Sequence, residues 1–578
     1  SRPEQHGPVA PKQMVTFGVT DTSNIQWTKG EGYLPVFISE YTKNKMAYKI
    51  ETFANKHTVN NKDYVINYSR ITATNLSNDM LLLPVVSGNL VPINAAAVNI
   101  YTVDPGESIV RDYAIEADKY EYFDKSVTEF TSLTMEQVNN QGTFEDNYNE
   151  MKAYWQNRLS KVVDIDLPNK ELNNAFKSGY IDTLIIKDDS YLHVGENGYA
   201  RLFSHDTLGI LVDLIQSGDF DHAQDYLKSI PLTGGINIET GQVDSNLYWD
   251  TNWKIPWAYA VYLSKTGDAS IFDEQMTAED GSNGTVFEKR VKFGARSIEG
   301  DRNADGIMKK TYAIDSEGNW TIDNYSALTG LTAYEYLTRE LYRLKNDEYY
   351  LHEAEWAKAQ YDDLLEKFTA KLQQTITNKG LDYIPASVVE SNDENRMKDS
   401  RDANWASMFL FGRWHWDGYL YGAEQPEDNI NLKMLDDTYS YGINRRIQED
   451  TTDSPYNFGG YPHGFYSSAY NAGYGSAALR GEEYRDMGIK AYEFMIENSM
   501  SGPFSWWEGI NYPVAGSPWA QTNENLNIQN TPGGGGSAPH MWGQSVNSKV
   551  LIDSLIAEKI YDQKQKYDII VGRGIPKE

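Results

Sequence analysis

The chain has 578 residues and a formal net charge of −30 at pH 7, from 52 lysines and arginines against 82 aspartates and glutamates. A negative field of this size repels nucleic-acid phosphates and anionic membranes, so we expect neither as a partner. Cysteine is absent, which excludes disulfides and cysteine-bound metals, and no run of about 18 apolar residues predicts a membrane span.

The first 142 residues carry short runs of β-branched and aromatic residues, such as Tyr33–Ser39, Ala47–Phe53, Tyr64–Thr72 and Ala97–Val103. Turn-forming residues separate the runs, for example Asn60 to Asp63. This pattern is typical of a β-sandwich, which we predict as the first domain, residues 1–142.

A helical pattern follows in residues 143–168. Tyr148, Met151, Trp155 and Leu159 recur at spacings of three and four residues, which places them on one face of a helix. We predict a linker helix here that packs between two domains.

From residue 169 to 578 the apolar spacing stays close to that of a helix, and the predicted helices come in pairs. Leu208, Leu211 and Ile215 form one stripe, Gly218 interrupts it, and a second helix follows at once. Successive helical hairpins with long loops between them indicate a toroid or a solenoid. Because no fixed-period repeat is visible, a closed toroid fits better.

Two carboxylates lie in aromatic loops of this helical region. Asp323 follows Trp320 and precedes a predicted helix, and Glu508 follows Trp506 and Trp507. Glycoside hydrolysis needs two carboxyl groups, one to protonate the leaving oxygen and one to activate water or attack carbon, and requires no cofactor. The 41 tyrosines and 14 tryptophans could supply faces that stack on sugar rings.

Other loops add polar and aromatic side chains that suit sugar hydroxyls and ring faces. Asp206 could instead only cap a helix, and the tryptophans around Asp250 could be core residues. Glu196 and Asp402 are weaker carboxylate candidates. The predicted substrate-binding residues are Arg201, His205, Asp206, Trp249, Asp250, Trp253, Trp320, Trp405, Trp507 and His540.

One segment resembles the start of a calcium-binding loop. Asp301, Asn303 and Asp305 alternate and Gly306 follows, but the twelfth position holds Tyr312 in place of a bidentate acid. A structural turn is therefore favoured, with calcium kept as an alternative and no other cofactor expected.

These motifs, in this order, resemble the six-hairpin glycosidases with an (α/α)6 barrel, especially bacterial glucoamylase-like enzymes with an N-terminal β-sandwich. The resemblance implies that Asp206 binds sugar hydroxyls, with His205 where that group has arginine. It implies Asp323 as general acid, where glucoamylases use glutamate, and Glu508 as general base. The segment around His540 resembles the one that closes the barrel. Inversion of configuration is the implied outcome.

The sequence thus predicts a β plus α protein: a β-sandwich, a linker helix and an (α/α)6 toroid that hydrolyses a neutral oligo- or polysaccharide. Two alternatives remain: a polysaccharide lyase on a related toroid, and a glycan-binding protein without activity. We expect a secreted or periplasmic protein, with the cytoplasm as an alternative, and any export signal was either removed or never present.

Overall fold

The computed structural model describes residues 15–18, 25–86, 88–93, 101–117, 133–187, 192–195, 203–230, 235–237, 242–244, 250–278, 280–311, 318–385, 387–388, 433–434, 437–438, 440, 466–469, 471–472, 475, 479, 486–510, 534–559 and 568–575. The chain forms two compact units, and the main division lies between Asp182 and Thr183. The short stretch Gly502–Phe504 also belongs to the first unit. In the described ranges, every helix is too short or too polar to cross a membrane.

The first unit is built on an antiparallel sheet of six strands, in the order β1-β2-β3-β4-β8-β6. A separate two-stranded pair joins β5 and β7. The strands are β1 Gln26–Gly30, β2 Leu34–Lys43, β3 Met46–Val59, β4 Lys62–Asn75, β5 Leu81–Leu82, β6 Val91–Pro92, β7 Thr102–Val103 and β8 Ser108–Ala117.

The longest pairing is the hairpin of β3 and β4, which runs in unbroken register from Met46 opposite Asn75 to Val59 opposite Lys62. Asn60 and Asn61 form its two-residue turn with φ angles of 53° and 62°. Asparagine tolerates this left-handed conformation better than most residues, which makes it a good residue for such a turn.

Each face of this sheet has its own apolar cluster. On one face Tyr41 stacks on Tyr48 at 5.1 Å. On the other, Phe53 stacks on Tyr68 and meets the edge of Phe144 from α2. The helices of this unit are α1 Met135–Asn139, α2 Phe144–Leu159 and α3 Lys170–Ile186, the last of which continues into the second unit.

The second unit is mainly helical. Its described helices are α4 Ser204–Ser217, α5 Phe220–Ser229, α6 Asp250–Thr266, α7 Phe293–Gly300, α8 Thr321–Lys345, α9 Glu348–Lys379, α10 Asp486–Asn498 and α11 Met541–Leu555, with a 3₁₀ turn at Ser270–Asp273 and a π-helical turn at Phe287–Lys292. Its short strands are β9 Gly235–Asn237, β10 Gln242–Asp244, β11 Gln275–Thr277, β12 Asn283–Thr285, β13 Tyr466–Ser467, β14 Met500–Gly502, β15 Ser505–Trp506, β16 Gly509–Ile510, β17 Ile556–Lys559 and β18 Asp568–Val571.

The helices of this unit differ in how they are buried. Helix α11 is buried on all sides from Met541 to Ser554, and α8 is buried on all sides from Thr321 to Thr338. Helix α9 buries only one stripe, with Tyr350, Ala354, Ala357 and Tyr361 among its members. A helix buried all round lies inside a layer of others, whereas a single stripe is typical of an outer helix.

The buried helices contact one another in sequence. Helix α4 packs on α6, α6 packs on α8, and the last one, α11, packs back on α4. Gly209 of α4 lies against Trp542 and Val546, so α4 and α11 approach closely near their N-terminal ends. The architecture is therefore β plus α, as predicted from the sequence.

Candidate active site

Asp323 lies in the first turn of α8 and is completely buried. Its Oδ2 accepts a hydrogen bond of 2.6 Å from the hydroxyl of Thr311. The preceding Trp320, at the N-cap position, is also completely buried and provides no side-chain cap. The carboxyl group of Asp323 is thus held in the protein interior by a side-chain donor from a neighbouring segment.

The segment that carries Thr311 is tied to the start of α8 at several points. Asn324 accepts from the Met308 N–H at 3.0 Å, and Asn319 donates to the Met308 carbonyl at 3.2 Å. Thr311 and Gly318 exchange two backbone hydrogen bonds of 3.0 Å. These bonds fix the position from which Thr311 reaches Asp323.

Glu508 is held by its backbone. Its N–H donates to the Ser537 carbonyl at 3.0 Å, and its carbonyl accepts from the Ser468 N–H at 2.8 Å. The neighbouring Trp507 donates its N–H to the Ser499 carbonyl at 2.7 Å. Three separate segments therefore position this glutamate, whose exposed fraction is only 9%.

Two glycines make room for the Trp507–Glu508 pair. A Cβ on Gly536 would lie 2.0 Å from Oε2 of Glu508, and a Cβ on Gly534 would lie 2.2 Å from the Trp507 ring. Gly536 also has a φ of +79°, a conformation that only glycine adopts without cost. Glycine is thus needed at 534 for space and at 536 for both space and backbone conformation.

His540 caps α11 from inside the protein. Its Nδ1 accepts from the Gly543 N–H at 3.2 Å and lies 3.1 Å from the Ser468 hydroxyl. Burial lowers the pKa of His540 to about 3, so the ring is neutral, and with Nδ1 as acceptor its proton is on Nε2. Ser468 thus joins the cap of α11 to the backbone of Glu508.

The segment that precedes α4 joins the same cluster. The Met541 N–H donates to the Val194 carbonyl at 2.6 Å, and the backbone N–H of His540 donates to the Trp506 carbonyl at 2.9 Å. The hydroxyl of Thr207, in the first turn of α4, donates to the Leu192 carbonyl at 3.1 Å. The structure therefore brings together the 192–195 segment, the Glu508 segment and the start of α11.

The other predicted site residues fall in several places. Asp206 is half-buried in the first turn of α4. Trp253 is completely buried in α6 and donates its ring N–H to Asp301 at 3.0 Å. Arg201, Trp249 and Trp405 lie outside the described residues, as do Glu196 and Asp402 and the side chains of His205 and Asp250. The roles assigned to all of these residues stay predictions.

The predicted calcium loop is stabilised by side chains of the protein. Asp301 accepts from the ammonium group of Lys309, and Asn303 donates to the Met308 carbonyl at 3.1 Å. Asp305 lies 3.7 Å from Lys371. This arrangement provides the contacts of a structural turn, and calcium binding stays an untested alternative.

Sequence reasoning missed three residues that position the two carboxylates. Asp323 is contacted by Thr311, and Glu508 is contacted by Ser468 and Gly536. All three lie outside the motifs that contain the two carboxylates, and glycine has no side chain that would mark it as functional. Of the three, only Gly536 stands out in the sequence, where it belongs to a run of four glycines at 533–536.

No family model and no curated protein match this chain. Among solved structures, it is similar to a bacterial glucoamylase complexed with acarbose (TM-score 0.46, 11% identity, covering 93% of this chain and 84% of that chain). It is also similar to the glucoamylase from Saccharomycopsis fibuligera (TM-score 0.47, 9% identity, covering 68% and 96%). A third similar structure is the GH76A alpha-1,6-mannanase from Salegentibacter sp. HEL1_6 (TM-score 0.36, 12% identity, covering 66% and 99%). Glycosidases are thus among the structures that the chain resembles, as its sequence predicted, but at this similarity no residue role is transferred from them.

Proposed function

We propose that this protein is a glycoside hydrolase that cleaves a neutral oligo- or polysaccharide with inversion, using Asp323 as general acid and Glu508 as general base. The observation that carries the proposal is that both residues are buried. Asp323 lies in the first turn of α8, and Glu508 is hydrogen-bonded to Ser537, which lies shortly before the start of α11. For Asp323, burial disfavours the charged form of the carboxyl group, which suits an acid that must carry a proton at neutral pH.

The helical layers support a toroid as the scaffold of this site. Helices α4, α6, α8 and α11 are largely buried, as the inner helices of a toroid would be, and α11 packs on α4, as a closed ring would require. The first turns of these helices carry buried polar residues: Thr207 on α4, Asn252 on α6, Asp323 and Asn324 on α8, and Gln544 on α11. In a toroid these first turns would share one end, where a sugar could bind.

In the proposed reaction, Asp323 gives its proton to the glycosidic oxygen while the bond from that oxygen to the anomeric carbon breaks. Glu508 takes a proton from a water molecule that attacks the opposite face of the sugar. Inverting enzymes hold their two carboxyl groups about 6.5–9.5 Å apart to leave room for this water. We expect this separation between Asp323 and Glu508, and a secreted or periplasmic location for the enzyme.

The first test measures hydrolysis of a panel of neutral oligosaccharides, with the anomeric form of the first product followed by NMR. Glu508→Gln should bind substrate but lose about 100-fold or more in kcat, because an amide cannot take the proton of water. Asp323→Asn should lose as much on natural linkages and less on aryl glycosides with good leaving groups.

Glu335→Gln is the matched control, because Glu335 is also buried in α8 but pairs with Arg339 at 3.0 Å. It should retain activity. A Glu508→Gln variant that keeps more than about a tenth of wild-type kcat would contradict the assignment of the base. An unsaturated product would indicate a lyase, and binding without any product would indicate a glycan-binding protein.

A further inference from the structure

Thr311 and Asp323 form a buried pair. The threonine hydroxyl donates to Oδ2 of Asp323 at 2.6 Å, and the exposed fractions of the two residues are 3% and 0%. A hydrogen bond donated to a carboxylate is charge-assisted and stronger than one between neutral groups. In a buried site it therefore affects both the orientation and the protonation of the carboxyl group.

The position of the Thr311 hydroxyl is restricted by the backbone of its own segment. The two backbone bonds between Thr311 and Gly318 hold it in place, and the contacts of Met308 with Asn319 and Asn324 anchor the segment to α8. A threonine also has a restricted χ1 angle because its Cβ is branched. The donor is therefore preorganised toward one oxygen of Asp323.

Resting on the proposed function, we propose that Thr311 is a positioning residue that decides which oxygen of Asp323 carries the catalytic proton. Because Oδ2 accepts from Thr311, the proton of the neutral acid resides on Oδ1. In the reaction the O–H bond at Oδ1 breaks, and its electron pair stays on the carboxyl group as the proton passes to the glycosidic oxygen. The same hydroxyl then stabilises the carboxylate that forms.

This role has a consequence for the pH dependence of the reaction. A bond donated to the ionised form favours that form, so removing the donor keeps Asp323 protonated to higher pH. The alkaline limb of the kcat/KM profile reports loss of the essential proton from the free enzyme. Loss of the Thr311 hydroxyl should therefore move this limb upward.

The experiment compares Thr311→Val with Thr311→Ser, which keeps a hydroxyl. For Thr311→Val we expect an alkaline limb shifted up by about one pH unit and a kcat reduced on the order of 10-fold on a natural linkage. A substrate with a good leaving group should lose less. Thr311→Ser should restore the wild-type limb. Thr321→Val is the matched control, because Thr321 is a buried threonine of α8 whose hydroxyl donates to the Pro385 carbonyl at 2.5 Å.

Thr321→Val should lower thermal stability without moving the alkaline limb. The inference is overturned if Thr311→Val leaves the limb in place, or if the control moves it equally.

A second measurement separates this failure from failure of the proposed function. Isotope-edited infrared spectroscopy can follow the titration of the Asp323 carboxyl group, assigned by its absence in Asp323→Asn, in enzyme without substrate. A shifted titration without any hydrolysis would support the Thr311–Asp323 coupling and reject the hydrolase. An unshifted titration would reject the coupling itself.

Discussion

At the scale of single residues, the candidate site depends on a position that has no side chain. Gly536 has no side chain, and this absence allows Oε2 of Glu508 to occupy the space in which a Cβ would lie. Glu508 can be predicted from the sequence because it lies between aromatic and glycine residues. The need for glycine at 536 cannot be predicted, because it arises from a contact between residues 28 positions apart.

Gly536→Ala should therefore abolish most activity. The added methyl group must displace the Glu508 carboxyl group, and the φ of +79° adds a backbone cost of roughly 1–2 kcal/mol. Gly380→Ala is the control, because Gly380 has a φ of +62° and open space around its Cβ position. It should show the backbone cost in a thermal melt but retain wild-type kcat. Equal kcat values for the two variants would contradict a specific contact between Gly536 and Glu508.

At the scale of elements, sequence patterns predicted best where more buried and less buried residues alternate with a regular period. The helix at Phe144–Leu159 and the strands β3 and β4 have this property, and their positions follow from the period of their apolar residues. Helix α8 is different, because it buries Asp323, Asn324, Thr329 and Thr332 along with its apolar residues. No amphipathic stripe marks such a helix as an inner one, so its all-round burial could not be read from the sequence.

The crossing of α6 and α8 depends on one glycine. A Cβ on Gly330 would lie 1.7 Å from the carbonyl oxygen of Trp253, which is backbone and cannot rotate away. Gly330→Ala should force the two helices apart and lower stability by about 1–3 kcal/mol or more. Gly300→Ala is the control, because no atom lies within 4 Å of its Cβ position and alanine favours a helix by up to about 1 kcal/mol. Thermal melts should show a lowered Tm for the first variant only. A Gly330→Ala variant with the wild-type Tm would mean that the helices can separate without cost.

At the scale of the whole molecule, the second unit buries ionisable groups whose pKa shifts have opposite effects on stability. Burial raises the pKa of Asp213 on α4 well above its usual range, beside Lys549 and Asp553 of α11, which form a buried pair at 2.7 Å. Burial lowers the pKa of His540 at the other end of α11 to about 3. The composition gave the net charge but not these shifts, because the sequence does not say which ionisable groups the fold removes from water.

The two shifts predict stability changes of opposite sign. For His540 the unfolded chain takes up a proton near pH 6.5 and the folded protein near 3, so stability is lost as the pH falls through this window. The loss attributable to this residue at pH 5 is about 2 kcal/mol. For Asp213 the folded protein keeps its proton to higher pH than the unfolded chain, so stability is lost as the pH rises.

His540→Asn tests the first of these effects, because asparagine is a good N-cap that carries no titratable group. The urea midpoint of this variant, relative to that of the wild type, should rise as the pH falls from 7 toward 4, whatever the constant cost of the substitution. Asp213→Asn should show the opposite slope, with its relative midpoint rising as the pH rises. Parallel pH curves for His540→Asn and the wild type would show that His540 does not resist protonation in the folded protein. The acid sensitivity of the second unit would then have to come from its carboxylate pairs, such as Glu353 with Arg296, where an ion pair holds the carboxylate in its charged form.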